Sequence, residues 1–410
     1  FMVIKKNTYH NYLLFASVLL ILIPPALISG PFLPDFFIVL ISLIFLFIFN
    51  KNSQLFLLKS NFFKFFLIFY FYLVLSSILS DNFNESIKTS LTYIRFVFFS
   101  LAIVFIFKNK EGFIKFFYFI LFFTLIVLIF DGYFQFITGK NIFGFRDHLR
   151  PDRLSGLFFE ELILGSYLGK ILPIFFTLYI LNEEHFNKYI FSILVLLAYV
   201  LIFLSGERSA FLTTSLYLIM IIPFLIGIKK TTILFILTIS ILAVFISTNK
   251  NIKSRYVDQM IIHTFGHPSS PSVFMPDHIG LFASAIDIFK KNIFTGSGVK
   301  TFRINCKNTI NEKLMVLKKS YPNIVFCNNH PHNYYLQLLA ETGLFGFLFV
   351  LFFFFKLFFN YLYQMYNFLK KNQNIKREYI TALSGLIVYI WPLTTTGSFF
   401  NNWICSVLFL

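Results

Sequence analysis

Along this chain, apolar blocks close to the ~20 residues needed to cross a bilayer alternate with short polar breaks. The blocks predict membrane helices at Asn11–Ser29, Pro34–Phe49, Phe62–Leu79, Tyr93–Phe107, Phe113–Phe130, Leu162–Leu181, Ile190–Leu204, Ala210–Ile228, Thr231–Ser247, Gln337–Phe359 and Ile380–Thr396. A last short one starts near Trp403 and runs to Leu410, giving about twelve spans. The expected fold class is therefore all-α, a polytopic membrane protein. Residues 1–247 carry helices 1–9, 248–336 form a long and partly helical loop between helices 9 and 10, and 337–410 carry helices 10–12. Met2–His10 is a short basic lead into the first span, without the small-residue cleavage site of a secretory signal.

Composition agrees: the 410 residues are 57% hydrophobic and 13% charged, about half the charge of a soluble domain. The net charge of +17 suggests nucleic acid at first sight. However, Lys5, Lys6, Lys51, Lys59, Lys108, Lys110, Lys229, Lys230, Lys370, Lys371, Lys376 and Arg377 all fall in breaks on one side when the spans alternate. That is the lysine asymmetry of a cytoplasmic face, so nucleic acid is set aside. The two long polar loops, Asp131–Glu161 and Thr248–Leu336, then face outward. Within the second, Asp277–Lys291 has apolar residues at helical spacing and a basic end, as a helix lying on the membrane surface would. Asn292–Phe302 follows with a Gly-Ser-Gly turn. Cys306 and Cys327 lie on the outward side, where disulfides persist; a bridge would tie the segment before the histidines to the loop, and two free thiols are the alternative. Cys405 lies in the last apolar segment and reads as a buried thiol.

The stretch Asn329–Gly346, NHPHNYYLQLLAETGLFG, starts polar and then leads into the apolar block Phe347–Asn360. Pro331 keeps His330 out of the helical region, and His332 or Asn333 is the natural N-cap of the helix that follows. A neutral imidazole there can accept a proton, the bland alternative being a cap and nothing more. No HExxH or carboxylate cluster predicts a metal, no P-loop predicts ATP-driven transport, and no cofactor is implied. His263, His267 and His278 are scattered singly through the long loop. Arginine is scarce and conspicuous: Arg146, Arg150 and Arg153 in the first outer loop, Arg208 beside Glu207 at a span end, Arg255 and Arg303 in the long loop. The guanidinium fork suits phosphate. The alternatives are an Arg208–Glu207 pair or snorkelling, and interfacial anchoring by Arg150 and Arg153. Several outward arginines with a histidine at one face fit an anionic lipid-linked ligand.

Four stretches, RPDRLSGLFFEELILGSYL (Arg150–Leu168), SGERSAFL (Ser205–Leu212), AIDIFKKNIFTGSGVKTF (Ala285–Phe302) and HPHNYYLQLLAETGLFG (His330–Gly346), occur in an order that is familiar. In them the chain resembles the O-antigen ligase and O-antigen polymerase superfamily of bacterial inner-membrane glycosyltransferases. The likeness covers most of the chain from Asp131 onward, and the fourth stretch is its most specific part. It implies a metal-independent, inverting enzyme with its active site facing the periplasm. The donor would be a glycan on undecaprenyl diphosphate, and the acceptor lipid A-core. His332 matches the family's essential histidine, Arg208 the arginine of S-G-x-R and Arg153 that of R-L-S-G, with His330, Asn333 and Glu341 in support. Many members place an arginine just before the Ala285 helix, where this chain has Asp277 and His278. Arg255 or Arg303 would stand in for it in the diphosphate clamp, to which Arg150 would also belong. The spacing from Asn333 to Gly343 leans towards ligase. The alternatives are an O-antigen polymerase or protein O-oligosaccharyltransferase with the same donor, and, from another class, a transporter of lipid-linked sugars. A transporter would place its ionisable residues near the bilayer midplane rather than at one face.

Overall fold

The structure, a computed structural model, describes residues 6–49, 56–110, 112–148, 150, 152–258, 276–308, 324–370 and 375–410. Its principal elements are helices: α1 (Lys6–Ala26), α2 (Phe32–Ile48), α3 (Asn61–Ile78), α4 (Phe83–Thr92), α5 (Arg95–Asn109), α6 (Phe113–Thr138), α7 (Leu164–Ile180), α8 (Lys188–Leu204), α9 (Arg208–Ile226), α10 (Ile228–Thr248), α11 (Pro276–Lys291), α12 (Tyr334–Leu369), α13 (Arg377–Tyr389) and α14 (Asn402–Leu408). Among the described residues there is no strand. Among the described residues seven helical segments are long and apolar enough to cross a membrane, and α2, α7 and α8 are apolar but only 17 residues long. The chain is an all-helical, multi-pass membrane protein.

Three elements depart from the hydropathy reading. The block expected at Ile380–Thr396 is helical only to Tyr389. Pro392 lacks an amide hydrogen and pushes Trp391 out of the helical region, so the apolar run continues as irregular chain until Asn401 caps the seven-residue α14. α6 runs well past Phe130 to Thr138, because the polar Asp131 and Gln135 in its last turns find partners in the loop that follows. Phe83–Thr92, read as a break, is a helix whose Ser86 and Ser90 are buried against Ser77 of α3.

The chain packs as two compact units, one made of Phe1–Phe113, Phe274–Phe353 and Pro392–Leu410, the other of Ile114–Val273 and Phe354–Trp391. In the first, Arg95 of α5 donates to Asp35 of α2 at 2.9 Å and to Asn402 at 3.1 Å, and Asn402 donates to Asp35 at 3.0 Å. This triangle pins α14 to the bundle. The apolar stripe of α11 was expected to meet lipid. Instead Leu281, Ala285 and Ile288 are buried in a small core with Phe302, Cys306 and Ala340, flanked by Cys327 and Leu336. Amphipathic spacing says that one face is apolar, not whether lipid or protein covers it. Cys306 and Cys327 are joined by a disulfide with their Cα atoms 5.1 Å apart.

The feature that shapes this unit is a break in α12. Gly343 has φ 64° and ψ −165°, a conformation essentially confined to glycine. The break opens backbone groups to the Gly-Ser-Gly turn: Ser297 N–H donates to Ala340 O at 3.0 Å, Gly298 N–H to Glu341 O at 2.8 Å, and Leu344 N–H to Ile293 O at 2.7 Å. A Cβ on Gly343 would lie 2.4 Å from the Phe294 carbonyl, and one on Gly296 2.4 Å from the Glu341 carbonyl carbon. Gly343→Ala should therefore cost more than about 2 kcal/mol, read as a lowered Tm of the detergent-purified protein. Gly139→Ala is the control, since Gly139 also has positive φ (79°) but its Cβ would meet nothing. Equal losses at the two positions would make the backbone contact irrelevant.

Candidate active site

In the first unit the broken helix presents the histidines. Asn333, not His332, is the cap: its Oδ1 accepts from Tyr335 N at 3.0 Å and Leu336 N at 3.1 Å. Its Nδ2 donates to Pro392 O at 2.9 Å and Thr394 O at 3.2 Å. His332, one residue earlier, has φ 57°, an uncommon conformation for a residue other than glycine, and its carbonyl accepts from Thr396 N at 2.8 Å. Locked in this way, its ring lies 4.2 Å from that of His330 and 5.2 Å from that of His278, centroid to centroid. Burial lowers the pKa of His332, opposed by a backbone hydrogen bond with Thr396. Burial and the neighbouring His332 push His330 down to about 4. Both rings are thus held neutral near pH 7, the state in which an imidazole nitrogen can take a proton.

Behind the histidines lies a buried polar frame. Glu341 accepts from Lys300 N at 2.9 Å, Phe302 N at 3.0 Å and Gln337 Nε2 at 3.0 Å. Gln337 Nε2 also donates to Ser398 Oγ at 2.9 Å, and its Oε1 accepts from Phe399 N at 2.8 Å. Glu341 and Gln337 thereby fix the strained Lys300 (φ 62°) and the C-terminal segment against the first turns of α12.

The second unit gathers three arginines at the turn Ser205-Gly206-Glu207-Arg208. Gln135 Oε1 accepts from Ser155 N at 3.1 Å and Gly156 N at 2.7 Å, while Asn141 Nδ2 donates to Gly156 O at 2.9 Å, which sets the loop carrying Arg153. Arg153 donates to Leu162 O at 3.0 Å, and its buried Nε has no partner among the described residues. Arg255 Nε donates to Gly206 O at 3.0 Å. Gly206, at φ 74°, packs so closely that a Cβ would lie 3.2 Å from Asp152 O and 3.4 Å from Arg153 Cγ. Arg208 opens α9 and is repelled by the charges of Arg255 and Arg153. The nearby carboxylate is committed elsewhere: Glu207 accepts from Gly165 N at 2.6 Å, Ser166 N at 3.1 Å and the Ser166 hydroxyl, holding the start of α7. Among the described residues no carboxylate bonds Arg208, so the expected alternative of an Arg208–Glu207 pair is absent. Burial lowers the pKa of Arg153, with Glu207 opposing and Arg255 and Arg150 adding to the shift. A cluster of mutually repelling guanidiniums of this kind gains from an anion.

Not all the candidate cations join it. Arg303 is ion-paired with Glu85 at 3.0 Å, which already matches its charge and is a structural reason against the clamp role expected of it. Arg150 is half-exposed and paired with Asp147 at 3.2 Å, and Arg146 is exposed. His263 and His267 lie outside the described residues. His278, one of several scattered histidines in sequence, lies beside His332; its place in the first turn of α11, where the resembling family has an arginine nearby, was the available signal. Gln337, Lys300 and the Thr394–Thr396 stretch carried no signal, because their roles come from the break at Gly343 and from the stop at Pro392. Among the described residues no group of His, Cys, Asp or Glu could hold a metal ion.

Comparison with curated proteins gives no match. The O-antigen ligase family model matches residues 193–351, which hold the Gly206 turn, Arg208, Arg255, α11, the Gly296 turn and the histidine cluster. Over that stretch, which holds the histidines and two of the three arginines, the chain is similar to the O-antigen ligase family.

Proposed function

We propose that this protein transfers a glycan from undecaprenyl diphosphate to lipid A-core at the periplasmic face of the bacterial inner membrane. The family match gives O-antigen ligase or polymerase-type function in general terms. The observation that carries the finer reading is the trio Arg153, Arg208 and Arg255, gathered on one turn whose carboxylate is committed to α7. Such a cluster suits a diphosphate, which brings two phosphoryl groups and leaves readily once its charge is matched. His332 supplies the other requirement, a neutral base. It takes the proton of the acceptor hydroxyl as that oxygen attacks the anomeric carbon. The anomeric C–O bond to phosphate breaks with its electron pair passing to the diphosphate, so configuration inverts and no glycosyl-enzyme forms. The lysine asymmetry supports a cytoplasmic side opposite the long loop.

Deletion of the gene in the source bacterium tests this. The expected lipopolysaccharide gel shows bare core, with polymer accumulating on the lipid carrier. Core bearing a single repeat unit would mean a polymerase, and an unchanged ladder would sink both readings.

A further inference from the structure

We infer that the irregular segment after Pro392 is the acceptor-binding wall of the histidine site, with the hydroxyls of Thr394 and Thr396 and Nε2 of His330 taking the hydroxyl groups of a saccharide. The inference rests on the glycosyl-transfer reading and adds to it the residues that hold the acceptor. Three observations carry it. First, the segment is bonded along its length to His332 and to the start of α12: Asn333 Nδ2 donates to Pro392 O and Thr394 O, Thr396 N–H donates to His332 O, and Gln337 holds Ser398 and Phe399. These bonds use backbone groups of the two threonines and leave their hydroxyls over. Second, Thr394 is only 4% exposed, and its Oγ1, Thr396 Oγ1 and His330 Nε2 are buried without a hydrogen-bond partner among the described residues. Buried polar groups are nearly always paired, and here two orphans lie on the bonded segment and the third on His330, whose ring is 4.2 Å from that of His332. Third, the segment interrupts an apolar run with open backbone. In a membrane protein such backbone persists where it is buried in protein or lines a polar cavity.

The chemistry of the three atoms selects the ligand. A hydroxyl donates and accepts, and a neutral imidazole nitrogen does one or the other. None of them carries charge near pH 7, so they suit neutral sugar hydroxyls better than phosphate.

The test uses the full chain in detergent, with Thr394→Val, Thr396→Val and Thr394→Ser. Valine keeps the shape and the backbone N–H while removing the hydroxyl; serine keeps the hydroxyl. The probes are deacylated core oligosaccharide from the source bacterium and, separately, undecaprenyl diphosphate. Each valine variant should bind the oligosaccharide roughly threefold to tenfold more weakly. Thr394→Ser should bind as the wild type does, and undecaprenyl diphosphate should bind all forms alike. Failure of the wild type to bind the oligosaccharide overturns the inference. So does unchanged affinity in both valine variants, which would mean that the hydroxyls hold water only, and so does equal weakening for both probes, which would mean general damage. A wild type that binds the oligosaccharide with the expected valine losses but transfers nothing upholds the acceptor wall and sinks the transfer reading.

Discussion

Replacing His332 by alanine is expected to lower transfer by about 10²–10⁴-fold, the usual cost of losing a general base, with the protein still folded. The helix keeps its cap, because Asn333 and not His332 bonds the first amides of α12. His332→Asn is the sharper variant: asparagine tolerates the left-handed backbone at φ 57°, so it removes the base with the least strain. His330→Ala should retain measurable turnover. The readout is turnover of purified protein with an undecaprenyl diphosphate-linked glycan and its acceptor. The pH profile adds a second check. As the proposed base His332 would work unprotonated, and its pKa is lowered by burial, so the rate should hold as pH falls through 6.5 and fail only below it. An acid limb above 6.5, or near-normal turnover by His332→Asn, would reduce this residue to a structural element.

The second large effect is expected at the arginine turn. Arg208→Ala and Arg153→Ala should each lower transfer by about 10²–10³-fold, the cost found when one preorganised stabiliser is removed. Arg208→Lys keeps the charge but loses the fork, and should recover only part of the loss. The loss should appear in turnover and in donor KM, with protein present in the membrane at normal levels. Arg303→Ala is the internal comparison, since its guanidinium is paired with Glu85 and half-exposed, and it should change little. If Arg208→Ala and Arg153→Ala both leave turnover intact, these arginines are membrane anchors.

Hydropathy was enough to place most of the helices, because a span must satisfy its backbone internally and so leaves a long apolar run in the chain. It failed where an apolar run is not a helix. Nothing in the hydrophobicity of Ile380–Thr396 distinguishes Tyr389 from Leu393; Pro392 was the only local hint, and it was read through. The helix at Asp277–Lys291 was visible, but its partner was not, because a stripe of Leu281, Ala285 and Ile288 looks the same to lipid as to a protein core. Within the site, the histidine at the mouth of α12 and the arginine beside Gly206 stood out by residue type and rarity. What local sequence could not supply was pairing: that Arg303 is neutralised by Glu85, that Glu207 serves α7 rather than Arg208, and that His278 lies beside His332. Each of these depends on residues far apart in the chain.

The joint between Gly296 and Gly343 bears on how this chain can be recombined with its relatives. Its two halves are separated in sequence by the disulfide loop and the histidines, yet they touch backbone to backbone with no side chain to absorb a mismatch. A chimaera with a crossover between residues 302 and 334 would take one half of the joint from each parent, and the fit would depend on chance. Exchanging residues 292–346 as one block carries the joint, both cysteines and His332 together. Moving that block keeps both halves of the joint from one parent, while the bonds of His332 and Asn333 to the Pro392–Thr396 segment are left to the recipient.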